Sequence, residues 1–421
     1  AMLSSDKIRI QYAAKQSRIS NAYKKWIGQN NGLRILNALE VKRDQEQKLR
    51  DTGRDNAARL QNFEKAYQDL EKYQFGRDLF IEYYYYGPEF LRFAQRIVPL
   101  VNNYEKLEAS GELQAQLDDL KGATSRHFKD YHLATDKDVF LALSELYAQY
   151  LDRSLSTPMV KAFMGNETAL NKLADDVYTK SFFTDESRMN GLIDGFSAKS
   201  VKKIKKDKGY LLMEELLNNY FDAIRPGYSE NQGAINSLMK EHVIALEQVF
   251  PDRVFWPDAN STLRLTYGKA EGSSPRDGMI YKFYTTSEGI LNKYVPGDRD
   301  FDLPADLVTL LEKRDFGPYA TDGELRVCFT GSNHTTGGNS GSPALNGDGY
   351  LIGLNFDRSW ESTMSDIMFD PDRCRNIMVD IKYVLFIIDR YAGAKHLIRE
   401  MTLVSNKHKE KPESEVAPML N

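Results

Sequence analysis

The sequence predicts an α+β protein: an α-helical domain over residues 1–250, then an antiparallel β-barrel with a C-terminal helix over 251–405. Two observations carry this. Glycine and proline are sparse, and apolar residues fall at helical spacing, from about Ser5 to Ile224. After Pro251 short β-favouring runs alternate with turn residues.

In the helical half, Ile35, Leu36 and Leu39 form one apolar stripe. Leu60, Phe63, Ala66, Tyr67 and Leu70 form a second, and Phe140, Leu141, Leu143, Leu146, Tyr147 and Leu151 a third. Pro88 and Pro99 bracket a further helix. Thr135-Asp136 reads as an N-cap. Tyr83 to Tyr86 read as a helix turning two tyrosines inward and two outward, and the lysine-rich run Lys202–Lys208 as a solvated, mobile connector. In the second half, strands are expected over 262–267, 325–330 and 350–356, with Asn346-Gly347-Asp348-Gly349 as a hairpin signal. A last amphipathic helix is expected from Val379 to Met401, and a flexible, charged tail over 406–421. No internal repeat is present.

The 421 residues are enough for two or three domains, and 41% hydrophobic with 28% charged residues is ordinary for a globular chain. With 56 basic and 60 acidic residues the net charge is −4, which argues against a nucleic-acid partner. No apolar run approaches the roughly 20 residues that span a bilayer. The first residues, Ala1-Met2-Leu3-Ser4-Ser5-Asp6, turn polar at once and lack a signal peptide, and Ala1 before Met2 reads as an expression remnant. The two cysteines, Cys328 and Cys374, are too few for a disulfide scaffold and lack metal-site spacing. Two buried free thiols are expected, with a single bridge as the alternative in an oxidising compartment. Neither a phosphate-cradling glycine loop nor a metal-ligand cluster is evident, so no cofactor and no metal are expected.

The informative segment is Thr335-Thr336-Gly337-Gly338-Asn339-Ser340-Gly341-Ser342-Pro343. Its core, from Gly338 to Pro343, is similar to the nucleophile loop of chymotrypsin-like peptidases. Acyl transfer puts negative charge on a former carbonyl oxygen, and two backbone N–H groups must point at it. Here Gly338 and Ser340 would supply them, Gly338 would let the chain turn without a Cβ clash, and Ser340 Oγ would be the nucleophile. The bland alternative is a serine-containing Gly/Ser turn. A catalytic serine needs a base and an orienting carboxylate. None of His127, His132, His242, His334, His396 or His408 lies in a matching context; His334 shares the loop of Ser340 and reads as local packing or a loop hydrogen bond, and His127 and His132 as surface or satisfied histidines.

The loop continues into Leu351-Ile352-Gly353-Leu354-Asn355-Phe356-Asp357-Arg358-Ser359-Trp360-Glu361 and then Val379-Asp380-Ile381-Lys382-Tyr383-Val384-Leu385-Phe386-Ile387-Ile388-Asp389. Together these resemble the bacterial dipeptidyl-peptidase 7 and 11 family of chymotrypsin-clan serine exopeptidases. The resemblance implies that residues 1–250 are a helical cap domain inserted between barrel segments, and 251–405 the second chymotrypsin-like barrel. It implies Ser340 as nucleophile and Asp357 as the carboxylate that pairs with the substrate's α-ammonium, a charge-assisted bond open only to a free N-terminus. Ile19-Ser20-Asn21-Ala22-Tyr23-Lys24-Lys25-Trp26 resembles the family segment whose Asn helps hold that amine, which implies the same for Asn21. Thr335, Thr336, Asn355 and Phe356 are implied in substrate binding.

Arg358 corresponds to the position that goes with Asp or Glu at P1; relatives with Gly there prefer apolar P1 residues. A guanidinium offers a planar fork for a carboxylate. Without the resemblance, Asp357 reads as a strand-end turn residue, Asn21 as a solvent-facing helix residue, and Arg358 as a surface arginine paired with Asp357 or Glu361. The family's catalytic His and Asp have no counterpart here. The expectation is therefore a C-terminal fragment, inactive alone, whose partner is the missing N-terminal barrel of the same protein. The resemblance also implies peptide substrates with a free N-terminus, a homodimer and a periplasmic location. Two other readings use the same residues: a related peptidase with apolar P1 preference, and a non-catalytic peptide-binding or assembly module.

Overall fold

A computed structural model describes residues 5–255, 261–298 and 300–404, so the expected tail over 406–421 lies outside the described residues. The chain divides into two compact units, Ala1–Ile19 with Arg43–Trp256, and Ser20–Lys42 with Pro257–Asn421. The first helix, Asp6–Ile35, contributes to both.

The first unit is helical. Its core gathers Phe80, Tyr83, Tyr84, Phe90, Phe140 and Tyr147, each at most 2% exposed. Phe63, Ala66 and Leu70 of helix Arg54–Phe80 pack with Ile235 of helix Arg225–Val249. The tyrosine run forms a π-helical turn, Ile81–Tyr85, with Tyr83 and Tyr84 buried, Tyr85 half-buried and Tyr86 exposed. Tyr83 satisfies its hydroxyl on Ser144 Oγ at 2.7 Å.

Two expectations fail in this unit. Thr135-Asp136 does not cap its helix. The helix is Leu133–Tyr150, its cap is His132, whose Nδ1 accepts from the Thr135 N–H, and Asp136 is a buried carboxylate within it. The lysine run is not a loose connector either. It contains the end of helix Ala198–Ile204 and the start of helix Lys208–Asn219. The lysines face solvent while Ile204 and Asp207 are buried. Asp207 accepts from the N–H groups of Gly209 and Tyr210 at 2.8 and 3.1 Å, which fixes the junction by capping.

The second unit holds the strands: β1 Ser273–Arg276, β2 Met279–Tyr281, β3 Tyr284–Thr286, β4 Arg326–Gly331, β5 Pro343–Leu345, β6 Leu351–Arg358 and β7 Asn376–Asp380. β1 and β2 form a hairpin, and the other five a sheet in the order β3-β4-β7-β6-β5, antiparallel throughout. Among the described residues β3 and β5 are its outer strands. A core of Leu307, Leu311, Phe316, Leu325 and Phe386 is built by the helices and connecting segments of this unit.

β4 and β6 lie where the β-favouring runs place them, and the Asn346 turn joins β5 to β6. The Asn346 side chain accepts from the N–H groups of Asp348 and Tyr350 at 3.1 and 2.9 Å. The strand expected over 262–267 does not form. Among the described residues none of that stretch is paired as a strand, an isolated bridge forms only beyond it, from Ala270 to Gly331, and Leu263, Leu265 and Tyr267 are 99%, 88% and 89% exposed. β-propensity without a partner strand does not make a ladder. The expected helix from Val379 also starts too early. Val379 and Asp380 belong to β7, paired with β4 and β6 on either side. Asp380 then caps helix Ile381–Phe386 by accepting from the Lys382 N–H at 2.8 Å. Gly393, at φ +64, separates that helix from Lys395–Glu400. Both cysteines are free thiols.

Candidate active site

The loop between β4 and β5 carries the predicted nucleophile. Thr336 and Asn339 close it on itself: the Asn339 N–H donates to the Thr336 carbonyl at 3.2 Å, and the Thr336 N–H to Asn339 Oδ1 at 3.0 Å. Gly338 follows at φ +103 and Gly341 at φ +84. A Cβ at either would meet nothing within 4 Å, so the backbone conformation, not space, requires glycine. Past the bend, β6 grips the loop. The Gly341 N–H donates to the Asn355 carbonyl at 2.7 Å, and the Asn355 N–H to the Ser342 carbonyl at 2.9 Å. The side chain of Asn355, 7% exposed, donates to the Asn339 carbonyl at 3.2 Å and accepts from Asn376 Nδ2 at 3.0 Å. One end of that amide thus holds the loop while the other is anchored on β7.

Ser340 sits exposed at the apex. Among the described residues no acceptor engages the N–H of Gly338 or of Ser340, and nothing bonds Ser340 Oγ. Two open amides and an open hydroxyl on one rigid bend can receive an oxyanion and attack a carbonyl. His334, on the same loop, packs its ring against Phe369 at 4.6 Å between centroids.

Downstream, β6 is bulged. Asn355 pairs with Met378, but Asp357 pairs with the next residue, Ile377, so Phe356 is the extra residue. A bulge re-aims the side chains that follow it. Asp357, exposed, accepts from the Arg358 N–H at 2.8 Å; Phe356 is 47% exposed.

Arg358 is held by a carboxylate that the sequence did not single out. Its Nη1 and Nη2 donate to Asp366 Oδ1 and Oδ2, both at 2.8 Å, and Nη1 also donates to Ser365 Oγ at 2.8 Å. The side chains of Arg358 and Asp366 are 15% and 25% exposed. Thr336 Oγ1 donates to the same carboxylate at 2.7 Å, and Lys25 Nζ lies 3.5 Å from it. The Arg358 hydrogen bonds, then those from Thr336 and the nearby positive charges, hold the Asp366 carboxyl well below the usual range; Asp366 in turn raises Arg358 above its usual value. The bland pairing of Arg358 with Asp357 or Glu361 is thus replaced by Asp366. Thr336 links the arginine to the nucleophile loop, while Thr335 beside it is buried.

Asn21 lies exposed on the first helix. Asn21, Lys25, Gly28 and Gly32 follow one another at helical spacing on one face. A Cβ on Gly28 would come within 2.5 Å of Thr363 Oγ1, and one on Gly32 within 2.8 Å of Met364 Cγ. The glycines let this face approach residues 363–366, which places Asn21 on the face that meets the Arg358–Asp366 network. Among the described residues no group of three or more His, Cys, Asp or Glu could hold a metal, and no helix is long and apolar enough to cross a membrane.

A family model described as peptidase S46 matches residues 1–403. The chain belongs to the peptidase S46 family. It is 41% identical over 413 residues to the Asp/Glu-specific dipeptidyl-peptidase of Flavobacterium psychrophilum, covering 96% of this chain and 56% of that protein. It is 37% identical over 425 residues to dipeptidyl-peptidase 7 of Phocaeicola vulgatus, covering 96% and 56%. Among solved structures it is similar to Porphyromonas endodontalis DPP11 in complex with the dipeptide Arg-Glu, at TM-score 0.82 and 27% identity, covering 95% of this chain and 57% of that one. The chain thus spans a little over half the length of these peptidase S46 relatives.

Sequence reasoning missed Asp366, Ser365 and Lys25. Asp366 and Ser365 stand in no motif, and Lys25 only in the Ile19–Trp26 segment quoted for Asn21. The bulge in β6 and the turn over 362–367 bring the first two to Arg358, and the glycine face of the first helix brings Lys25 to Asp366.

Proposed function

We propose that this chain is the nucleophile-bearing part of a serine dipeptidyl-peptidase that releases N-terminal dipeptides with Asp or Glu at P1. One observation carries the reading. Ser340 stands on a left-handed glycine bend beside two unengaged amides, and the Thr336 hydroxyl on that bend shares the Asp366 carboxylate with the Arg358 guanidinium. Ser340 Oγ attacks the carbonyl carbon of the P1 residue, and the oxyanion falls to the Gly338 and Ser340 amides. The amine leaves with a proton and water releases the dipeptide from the acyl-enzyme. Asp357, on an exposed bulge, suits pairing with the substrate's α-ammonium, and Asn21 adds a neutral acceptor. Arg358 selects a P1 carboxylate and disfavours an apolar P1 that would leave it desolvated. The two kinds of relative bracket the choice, and Arg358 favours the Asp/Glu side.

The base and its orienting carboxylate would come from protein outside this chain, from the first barrel of a chymotrypsin-type pair whose second barrel is built on β3–β7. The shared length with the relatives fits that division. A periplasmic location and a homodimer go with the reading and rest on the resemblance alone. The test is hydrolysis of Xaa-Asp, Xaa-Glu and Xaa-Leu dipeptidyl reporters by the full-length protein, with and without a serine-directed fluorophosphonate. Preference for the acidic reporters, lost on labelling of Ser340, is expected. Preference for Xaa-Leu sinks the specificity, and activity that survives complete labelling sinks the serine mechanism.

A further inference from the structure

We propose that Asp366 is a positioning residue that determines specificity: it holds Arg358 by the far end of its guanidinium and leaves one bidentate edge for the P1 carboxylate. The inference rests on the reading of Arg358 as the P1 selector.

A guanidinium carries five N–H donors in a fixed plane. Three are spent. The two on Nη1 go to Asp366 Oδ1 and Ser365 Oγ, and one on Nη2 goes to Asp366 Oδ2. The two that remain are Nε–H and the second Nη2 hydrogen, and among the described residues nothing accepts from them. They lie in the guanidinium plane, parallel along one edge, spaced for the two oxygens of a carboxylate. Asp366 thus removes the end-on docking mode and fixes the plane in which the side-on mode is offered.

Charge supports the same assignment. Arg358 and Asp366 alone would be a neutral pair with little pull on another anion. Lys25 Nζ, 3.5 Å from Asp366, supplies a second positive charge and leaves the triad at net +1. One more carboxylate completes it. Asp366 stays ionised well below neutral pH, so this balance holds under working conditions. Because Thr336 Oγ1 donates to the same Asp366 oxygen as Arg358 Nη1, the selector and the loop bearing Ser340 share one anchor. The P1 carboxylate is therefore docked in register with the attacking hydroxyl.

The experiment measures kcat and KM of the full-length protein and its variants on Xaa-Asp, Xaa-Glu and Xaa-Leu dipeptidyl reporters. Asp366→Asn keeps the shape but presents an NH2 group to one arm of the fork. It is expected to lower the acidic-to-apolar ratio of kcat/KM at least tenfold. Ser365→Ala and Lys25→Met are expected to lower the same ratio by smaller factors, and they carry the test if Asp366→Asn fails to give a cooperative thermal melt. Equal losses on acidic and apolar reporters mean that Asp366 merely supports the fold, which overturns the proposal. A ratio unchanged or raised, with KM for acidic reporters falling, means that Asp366 merely competes with substrate, which also overturns it. Failure of the parent reading is a separate result: Arg358→Ala that keeps the acidic preference removes the selector itself.

Discussion

Two carboxylates, one in each unit, show how the same side chain serves opposite ends. Asp136 is 1% exposed and accepts only from neutral donors: the Glu89 N–H at 2.5 Å, the Tyr131 hydroxyl at 3.1 Å and the Tyr178 hydroxyl at 2.8 Å. Burial outweighs those bonds, and its pKa is pushed up to about 6. Asp366 is more open, yet its carboxyl is held far below the usual range because a guanidinium grips both oxygens. The first is a buried hub whose donors, among the described residues, are all neutral. The second belongs to a cluster that keeps unspent donors and a net charge. Burial alone does not mark a functional carboxylate; an ionic partner with open valence does.

The harshest way to break this comparison is to ask whether the second region is a reaction centre. Ser340→Ala in the full-length protein is expected to cut dipeptidyl-reporter turnover by roughly five to six orders of magnitude with the melt unchanged, since the nucleophile acts only as part of its triad. Arg358→Gly comes next. It should shift the acidic-to-apolar ratio of kcat/KM toward Xaa-Leu by about two orders of magnitude, the scale of a lost pair of charge-assisted hydrogen bonds. Asp357→Asn keeps the bulge but removes the charge proposed to face the substrate's α-ammonium. A rise in KM of roughly tenfold for free-amine dipeptidyl reporters is expected, with less effect on N-acetylated ones.

The smallest effect sharpens the contrast through pH. The folded pKa of Asp136 lies above its ordinary 3.8, so between the two values the folded state binds a proton that the unfolded state does not. Asp136 thus makes the protein more stable as pH falls from about 6 toward 4, and its cost is fully present above 6. Asp136→Asn removes that slope. Wild-type stability relative to that of the variant should rise by about 1–3 kcal/mol between pH 7.5 and 4.5, read from thermal midpoints. Asp366 has the opposite sign: its contribution is present above the ordinary carboxylate value and is lost only below it. Asp366→Asn should therefore shift stability equally at both pH values. A matching slope at Asp366 would erase the distinction drawn here.

Much of the fold was legible. Apolar spacing marked the helices whose buried faces include Phe63, Leu70, Phe140 and Tyr147, because a helix must bury one stripe. The turn at Asn346 and the runs that became β4 and β6 were equally plain. The stretch through Leu263 and Leu265 was misread, since its alternation matches a strand while no neighbour among the described residues completes the ladder. Val379 was assigned to a helix because pairing on both sides of β7 is a non-local fact.

By itself the sequence determined the local chemistry: a glycine bend that takes positive φ at Gly338, a serine at its apex, and an aspartate and an arginine at the end of the strand that braces it. These follow from neighbouring residues, and backbone sterics make them readable in one dimension. The tertiary structure alone decided what Arg358 holds. Asp366 and Ser365 meet it from a turn, and Thr336 and Lys25 meet Asp366 from a loop and a helix far from it in the chain; electrostatics acts across space, not along sequence.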